Sequence, residues 1–111
     1  MTIDLENRVF SFNLLFRGMK NNIPSEVDLW EERLILVFSP TEEQAILKAK
    51  RIGGDEESRY KTIEGDTLVW KFIQIERMFE VNDFQLKDGI EIFSRYLRNS
   101  EIESILTPFE E

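Results

Sequence analysis

The stretch Ser39-Pro40-Thr41-Glu42-Glu43-Gln44-Ala45-Ile46-Leu47-Lys48-Ala49-Lys50-Arg51-Ile52-Gly53-Gly54 is the one long helical passage in a chain otherwise patterned as strands. Ser39 is placed to accept from the backbone N–H near Glu42, and Glu42 to reach back to Ser39, as a capping box does. Pro40 suits a first helical position, where its missing N–H costs nothing. Ala45, Ile46, Ala49 and Ile52 then fall on one narrow apolar stripe. Glu42 and Glu43 favour the positive start of the helix dipole, and Lys48, Lys50 and Arg51 its negative end. Gly53-Gly54 is the expected stop. The spacing predicts a helix over Thr41–Ile52.

Upstream, residues 28–38 alternate Trp30, Glu32, Leu34, Leu36, Phe38 against Leu29, Glu31, Arg33, Ile35, Val37, which predicts a strand. A turn-rich loop with Asn21-Asn22 and Pro24-Ser25 precedes it. Before that, Phe10, Phe12, Leu14 and Phe16 alternate with Val9, Ser11, Asn13, Leu15 and Arg17, predicting a first strand over 8–20. Downstream, residues 55–65 are charged and weakly patterned, a loop or a ragged helical turn. A third strand is predicted over 67–81. Its length calls for a bulge or bend near Gln74 to Arg77. Asn82-Asp83 and Asp88-Gly89 mark a loop. A fourth strand is predicted over 90–97, from the alternation of Ile90, Ile92, Ser94 and Tyr96 with Glu91, Phe93, Arg95 and Leu97. Ser100-Glu101-Ile102-Glu103 then opens a short helix carrying Ile102, Ile105, Leu106 and Phe109, which Pro108 ends early. The expected fold is α+β, an antiparallel four-stranded sheet in β-β-α-β-β order. One main helix lies on one face, and a short helix follows at the C-terminal end. A chain of 111 residues is one domain's worth. Residues 1–7 and 107–111 are expected to be loosely ordered tails.

The absence of Cys and His excludes Ser-His-Asp and Cys-His catalysis, disulfides and zinc sites. Oxygen ligands alone remain, so no tightly held zinc or iron is expected, and no cofactor. The net charge of −8 opposes binding to phosphate backbones, so no nucleic-acid partner is expected. No apolar run is long enough to span a membrane, and the acidic start is unlike a signal peptide, so the expected location is cytoplasmic.

Several of these stretches together resemble a known family. They are Leu29-Trp30-Glu31-Glu32-Arg33, Ala45 and Ala49 on the helix, Trp70-Lys71-Phe72, and Asp88-Gly89-Ile90-Glu91-Ile92-Phe93-Ser94-Arg95. The family consists of short bacterial proteins called domain of unknown function 4288, and the likeness covers about Val9 to Arg95. This chain departs from it at Val9-Phe10, where the family tends to have Trp-Tyr, and at Ile90, where it tends to have Thr. The resemblance implies a bacterial cytoplasmic protein with a compact α+β fold. It carries over no functional residues.

Two constellations are candidate sites. Trp30, Glu31, Glu32 and Arg33 cluster at the polar end of a strand, where Trp could stack and Arg hold an anion. The structural alternative is an ion pair with a Trp that covers the sheet edge. Glu91 and Arg95 share a face of the fourth predicted strand. Beside the second strand they would meet Arg33 and Glu31 in an ion-pair lattice. Paired carboxylates can do acid–base work, but sequence spacing cannot show such a pair across a cleft. Gly53-Gly54 follows a helix and is not a phosphate loop. Asp55-Glu56-Glu57 lacks calcium-loop spacing.

The expected function is a non-enzymatic protein-interaction module that forms a homodimer. One alternative is a small-molecule-binding protein or enzyme with its site at the Trp30–Arg33 rim. Another is an acidic inhibitor or immunity-type protein that occupies a basic protein partner. Coverage motivates the dimer. Both sheet faces carry large apolar residues, and one half-Ala helix covers only one of them.

Overall fold

A computed structural model describes residues 7–23 and 29–107. The elements are β1 (Arg8–Lys20), β2 (Trp30–Ser39), α1 (Glu42–Asp55), β3 (Ser58–Lys61), β4 (Thr67–Val81) and α2 (Asn99–Leu106). The four strands form one antiparallel sheet in the order β2-β1-β4-β3. The architecture is α+β, as expected, but one strand is not where the alternation placed it. Residues 90–98 form no strand. The fourth strand is β3, in the stretch expected to be a loop or ragged turn, and it pairs with Thr67–Trp70 of β4. All four residues of β3 are exposed. A strand that buries neither face leaves no period-two signal in its sequence. In residues 92–97, Phe93, Arg95 and Leu97 are half-buried while Ile92, Ser94 and Tyr96 are exposed. The alternation there reflects burial alone, because no backbone hydrogen bond joins this segment to β4.

β1 lies between β2 and β4 and supplies most of the core. Phe10, Phe12, Leu14 and Phe16 are each 0% exposed on the face that α1 covers. β2 adds Ile35 and Val37 there, and β4 adds Trp70, Phe72, Ile75 and Met78. α1 contributes Ala45 and Ala49, both fully buried, with Ile46 and Ile52 beside them. Small residues at the contact let the helix approach the sheet closely, and the Phe side chains fill the remaining space. β4 carries two extra residues relative to β1. The register shifts fall opposite Asn13/Leu14 and Leu15/Phe16, which leaves Glu76 and Ile73 as the unpaired residues. Glu76 lies in the stretch where the length of the strand called for a bulge.

The ends of α1 differ from expectation. Thr41, not Ser39, is the N-cap, and its hydroxyl accepts from the Gln44 N–H at 3.2 Å. Ser39 is instead the buried last residue of β2. Pro40 therefore precedes the cap. At the other end the helix continues through Gly53 and Gly54 to Asp55 and closes at Glu56, whose N–H donates to the carbonyls of Ile52 and Gly53. Neither glycine has a positive φ, so neither acts as the left-handed stop that the pair suggested. α2 also starts earlier than expected. Its cap is Arg98, whose backbone N–H donates to the Glu101 carboxylate at 3.0 Å, in place of a cap at Ser100. Pro24, Ser25, Pro108, Phe109 and most of the expected tails lie outside the described residues.

Two charge clusters fasten the sheet. The Arg8 guanidinium donates to both Glu80 oxygens, at 2.8 and 2.6 Å, joining the first residue of β1 to β4. Asp66 accepts from Asn21 at 3.1 Å and pairs with Lys20 at 3.2 Å, and Asn21 in turn accepts from the Thr67 N–H. Asn21 and Asn22 both have positive φ, which Asn tolerates better than most residues. Hydrogen bonds from Arg8 hold the Glu80 carboxyl below its usual range. Those from Asn21 and then Lys20 do the same for Asp66. A carboxyl with a lowered folded-state pKa contributes stability that is fully present above its unfolded value, about 3.9 for Asp and 4.3 for Glu. That contribution is lost as pH falls through the folded values. Urea midpoints measured from about pH 6 to pH 3 should therefore fall less steeply for Asp66→Asn and Glu80→Gln than for the parent. Parallel curves would show that these carboxylates are not linked to folding.

Candidate interaction surface

The sheet face opposite α1 is a ladder of cross-strand rows, fixed by the β1–β2 and β1–β4 registers. Residues directly opposite in antiparallel strands project to the same side. The rows are Phe38–Val9–Val81, Leu36–Ser11–Phe79, Leu34–Asn13–Arg77, Glu32–Leu15–Gln74 and Trp30–Arg17–Lys71.

The segment after β4 returns across the first two rows. Phe84 meets Phe38 edge-on at 6.0 Å, and Phe93 meets Phe79 at 6.1 Å. Beneath them Val9, Ser11 and Val81 are buried. The other rows stay open. Leu34 is 50% exposed and Trp30 45%. The Arg17 guanidinium lies 5.0 Å from the centre of the Trp30 ring, a cation–π contact. Asn13, itself buried, donates to the Glu32 carboxylate at 2.9 Å. The Asn13 Oδ1 and the Arg17 Nε are buried without hydrogen-bond partners. Arg17 and Lys71 have no ion pair among the described residues.

The expected rim divides between the two faces. Arg33 and Glu31 lie on the α1 side. The Arg33 guanidinium sits 4.2 Å from the centre of the Phe16 ring, bonds Glu31 at 2.8 Å and reaches Glu56 at the end of α1 at 3.4 Å. That arrangement ties β2 to α1 over a core aromatic. Trp30 lies on the opposite side with Arg17. The lattice expected between Arg33 and Glu91, and between Arg95 and Glu31, does not form. Among the described residues β2 is an edge strand whose only neighbour is β1. Arg95 instead pairs with Glu76, one of the two bulged residues of β4, at 3.6 Å, and Glu76 also holds Arg77 at 3.2 Å. Glu91 is exposed without an ion pair among the described residues. An open groove of about 520 Å³ runs there, lined by Arg77, Met78, Ser94, Arg95 and Tyr96. Among the described residues no three acidic side chains converge as a metal site would require.

The sequence alone missed the Trp30–Arg17 stack, which depends on a register that only the pairing reveals. It also missed the isolation of α2. Ile102, Ile105 and Leu106 form an apolar stripe, 38%, 58% and 75% exposed, and among the described residues α2 packs on no other helix or strand. Among the described residues no helix is long and apolar enough to cross a membrane.

A family model described as Domain of unknown function (DUF4288) matches residues 9–94. No curated protein and no solved structure matches the chain.

Proposed function

Since the chain belongs to the family described as Domain of unknown function (DUF4288), which assigns no chemistry, we propose from its surfaces that it is a non-enzymatic interaction module that self-associates as a homodimer. The observation that carries this reading is the amount of uncovered surface. The accessible area is 8689 Å². A compact monomer of 13.2 kDa exposes about 6400 Å² by the usual mass scaling. Residues outside 7–23 and 29–107, even counted as fully extended, would explain at most about 1700 Å² of that difference. At least about 600 Å² then belongs to the described residues, which is near the amount each partner loses in a small specific interface.

Two features indicate where that surface lies. One is the open half of the sheet face, with Trp30 and Leu34. The other is α2. A two-turn helix is marginal in water by itself, because nucleation costs more than so few hydrogen bonds return. An amphipathic helix this short is normally held by something packed on its apolar side, and among the described residues no other helix or strand does so. The rim reading has less support, because Arg33 and Glu31 are committed to each other, to Phe16 and to α1.

Sedimentation velocity from about 1 to 100 µM should show a monomer–dimer equilibrium. Deleting residues 99–111 should shift it to monomer, with the far-UV spectrum of the sheet retained. A parent that sediments as a monomer across that range would refute the reading.

A further inference from the structure

We propose that the dimer forms by reciprocal docking, with α2 of each copy lying across the open rows Leu34–Asn13–Arg77, Glu32–Leu15–Gln74 and Trp30–Arg17–Lys71 of the other. This inference rests on the self-association proposed above and specifies its surfaces.

Charge complementarity is the first argument. The chain as a whole carries −8, yet the open rows present Arg17, Lys71 and Arg77 against Glu32 and the bulged Glu76 that pairs with Arg77, so this face remains locally cationic through Arg17 and Lys71. After Arg98 the sequence contains Glu101, Glu103, Glu110 and Glu111 and no Lys or Arg. The locally basic face and α2, with Glu101 and Glu103, attract each other, while two faces or two helices of the same sign would repel. Shape is the second argument. Ile102, Ile105 and Leu106 recur at i, i+3 and i+4, the spacing of an apolar helix face seated on a surface. Leu15, Trp30 and Leu34 offer an apolar floor, bounded by the Phe84 and Phe93 segment on one side and the cations on the other.

The test exchanges charge between the two surfaces. One variant, Glu103→Lys with Ser104→Lys, reverses α2 and leaves the capping Glu101 in place. A second, Lys71→Glu with Arg77→Glu, reverses the open face at two exposed positions. Each alone should dimerise at least about tenfold more weakly than the parent, because like charges meet. An equimolar mixture should recover dimer, since each copy then meets the opposite charge on the other. A single chain carrying all four substitutions should also dimerise. Circular dichroism and the denaturant midpoint of each variant report whether it folds.

If either two-residue variant keeps the parent's dimer affinity, or the mixture stays monomeric, reciprocal docking is wrong while self-association stands. A pairing of α2 with α2 would leave the Lys71→Glu/Arg77→Glu dimer intact and so overturns the inference. A monomeric parent removes the underlying reading as well.

Discussion

Phe12→Ala is expected to lower the unfolding free energy by about 3–5 kcal/mol, a large part of the 5–15 kcal/mol that holds a domain of this kind together. Phe12 is fully buried at the centre of the sheet, between Ile35 of β2 and Met78 of β4, in the cluster that includes Ala45 and Ala49 of α1. Those neighbours have little means of closing the void. Ala45 and Ala49 carry no side chain that could swing inward, and β1 is held by ladders on both edges. The loss combines the transfer term of the removed ring with a cavity term. In urea titration the midpoint should fall with the slope unchanged, because the area exposed on unfolding is nearly the same. Ile105→Ala in α2 provides the contrast. Its side chain is 58% exposed and α2 packs on no other described helix or strand, so under monomeric conditions the midpoint should move by less than about 0.5 kcal/mol. Equal losses at the two positions would mean that the core does not lie under β1.

Gly53→Ala and Gly54→Ala should have opposite signs although the residues are adjacent. Both lie inside α1, where Ala is preferred over Gly by up to about 1 kcal/mol. A Cβ added at Gly54 meets nothing within 4 Å, so only the propensity gain remains, about 0.5–1 kcal/mol of stabilisation. A Cβ at Gly53 falls 2.8 Å from the Phe72 ring. That ring is packed against Phe16 at 5.6 Å between centroids and cannot swing clear. Overpacking of about 1–3 kcal/mol then outweighs the helical gain, for a net loss of roughly 1–2 kcal/mol. Comparing the two denaturation midpoints separates a close-approach glycine from an incidental one. Stabilisation at both sites would show that α1 sits farther from β4 than described.

That pair also shows what the sequence could convey. Two glycines after an apolar stripe are a common stop signal, and nothing in the residue types reveals that the first is required by Phe72, nineteen positions later in the chain. Patterns that record burial were legible. β1, β4 and the middle of α1 fall where periodicity put them, and so does the bulge near Glu76. Patterns that record pairing were not. β3 buries no face and left no alternation. Residues 92–97 alternate in burial yet join no ladder. For the candidate site, Trp30, Arg33 and Glu31 stood out as polar or aromatic residues at a strand end. Whether they act together depended on which side of β2 each one faces and on the neighbour of that strand. Those facts lie in the order β2-β1-β4-β3, which no local stretch encodes.

The central position of β1 has a consequence for synthesis on the ribosome. The strand that anchors the core is the first to be made, and its second neighbour, β4, is the last strand to emerge. β2 and α1 can join β1 early and cover one edge and one face. Its other edge, with the N–H and C=O groups destined for β4, stays open until most of the chain has been translated. Closing the intervening loop costs entropy that grows only with the logarithm of its length, so the final sheet is little penalised. The delay matters more than the free energy. During it the nascent chain presents an unpaired, Phe-rich strand, the kind of surface that unprotected chains use to misassemble.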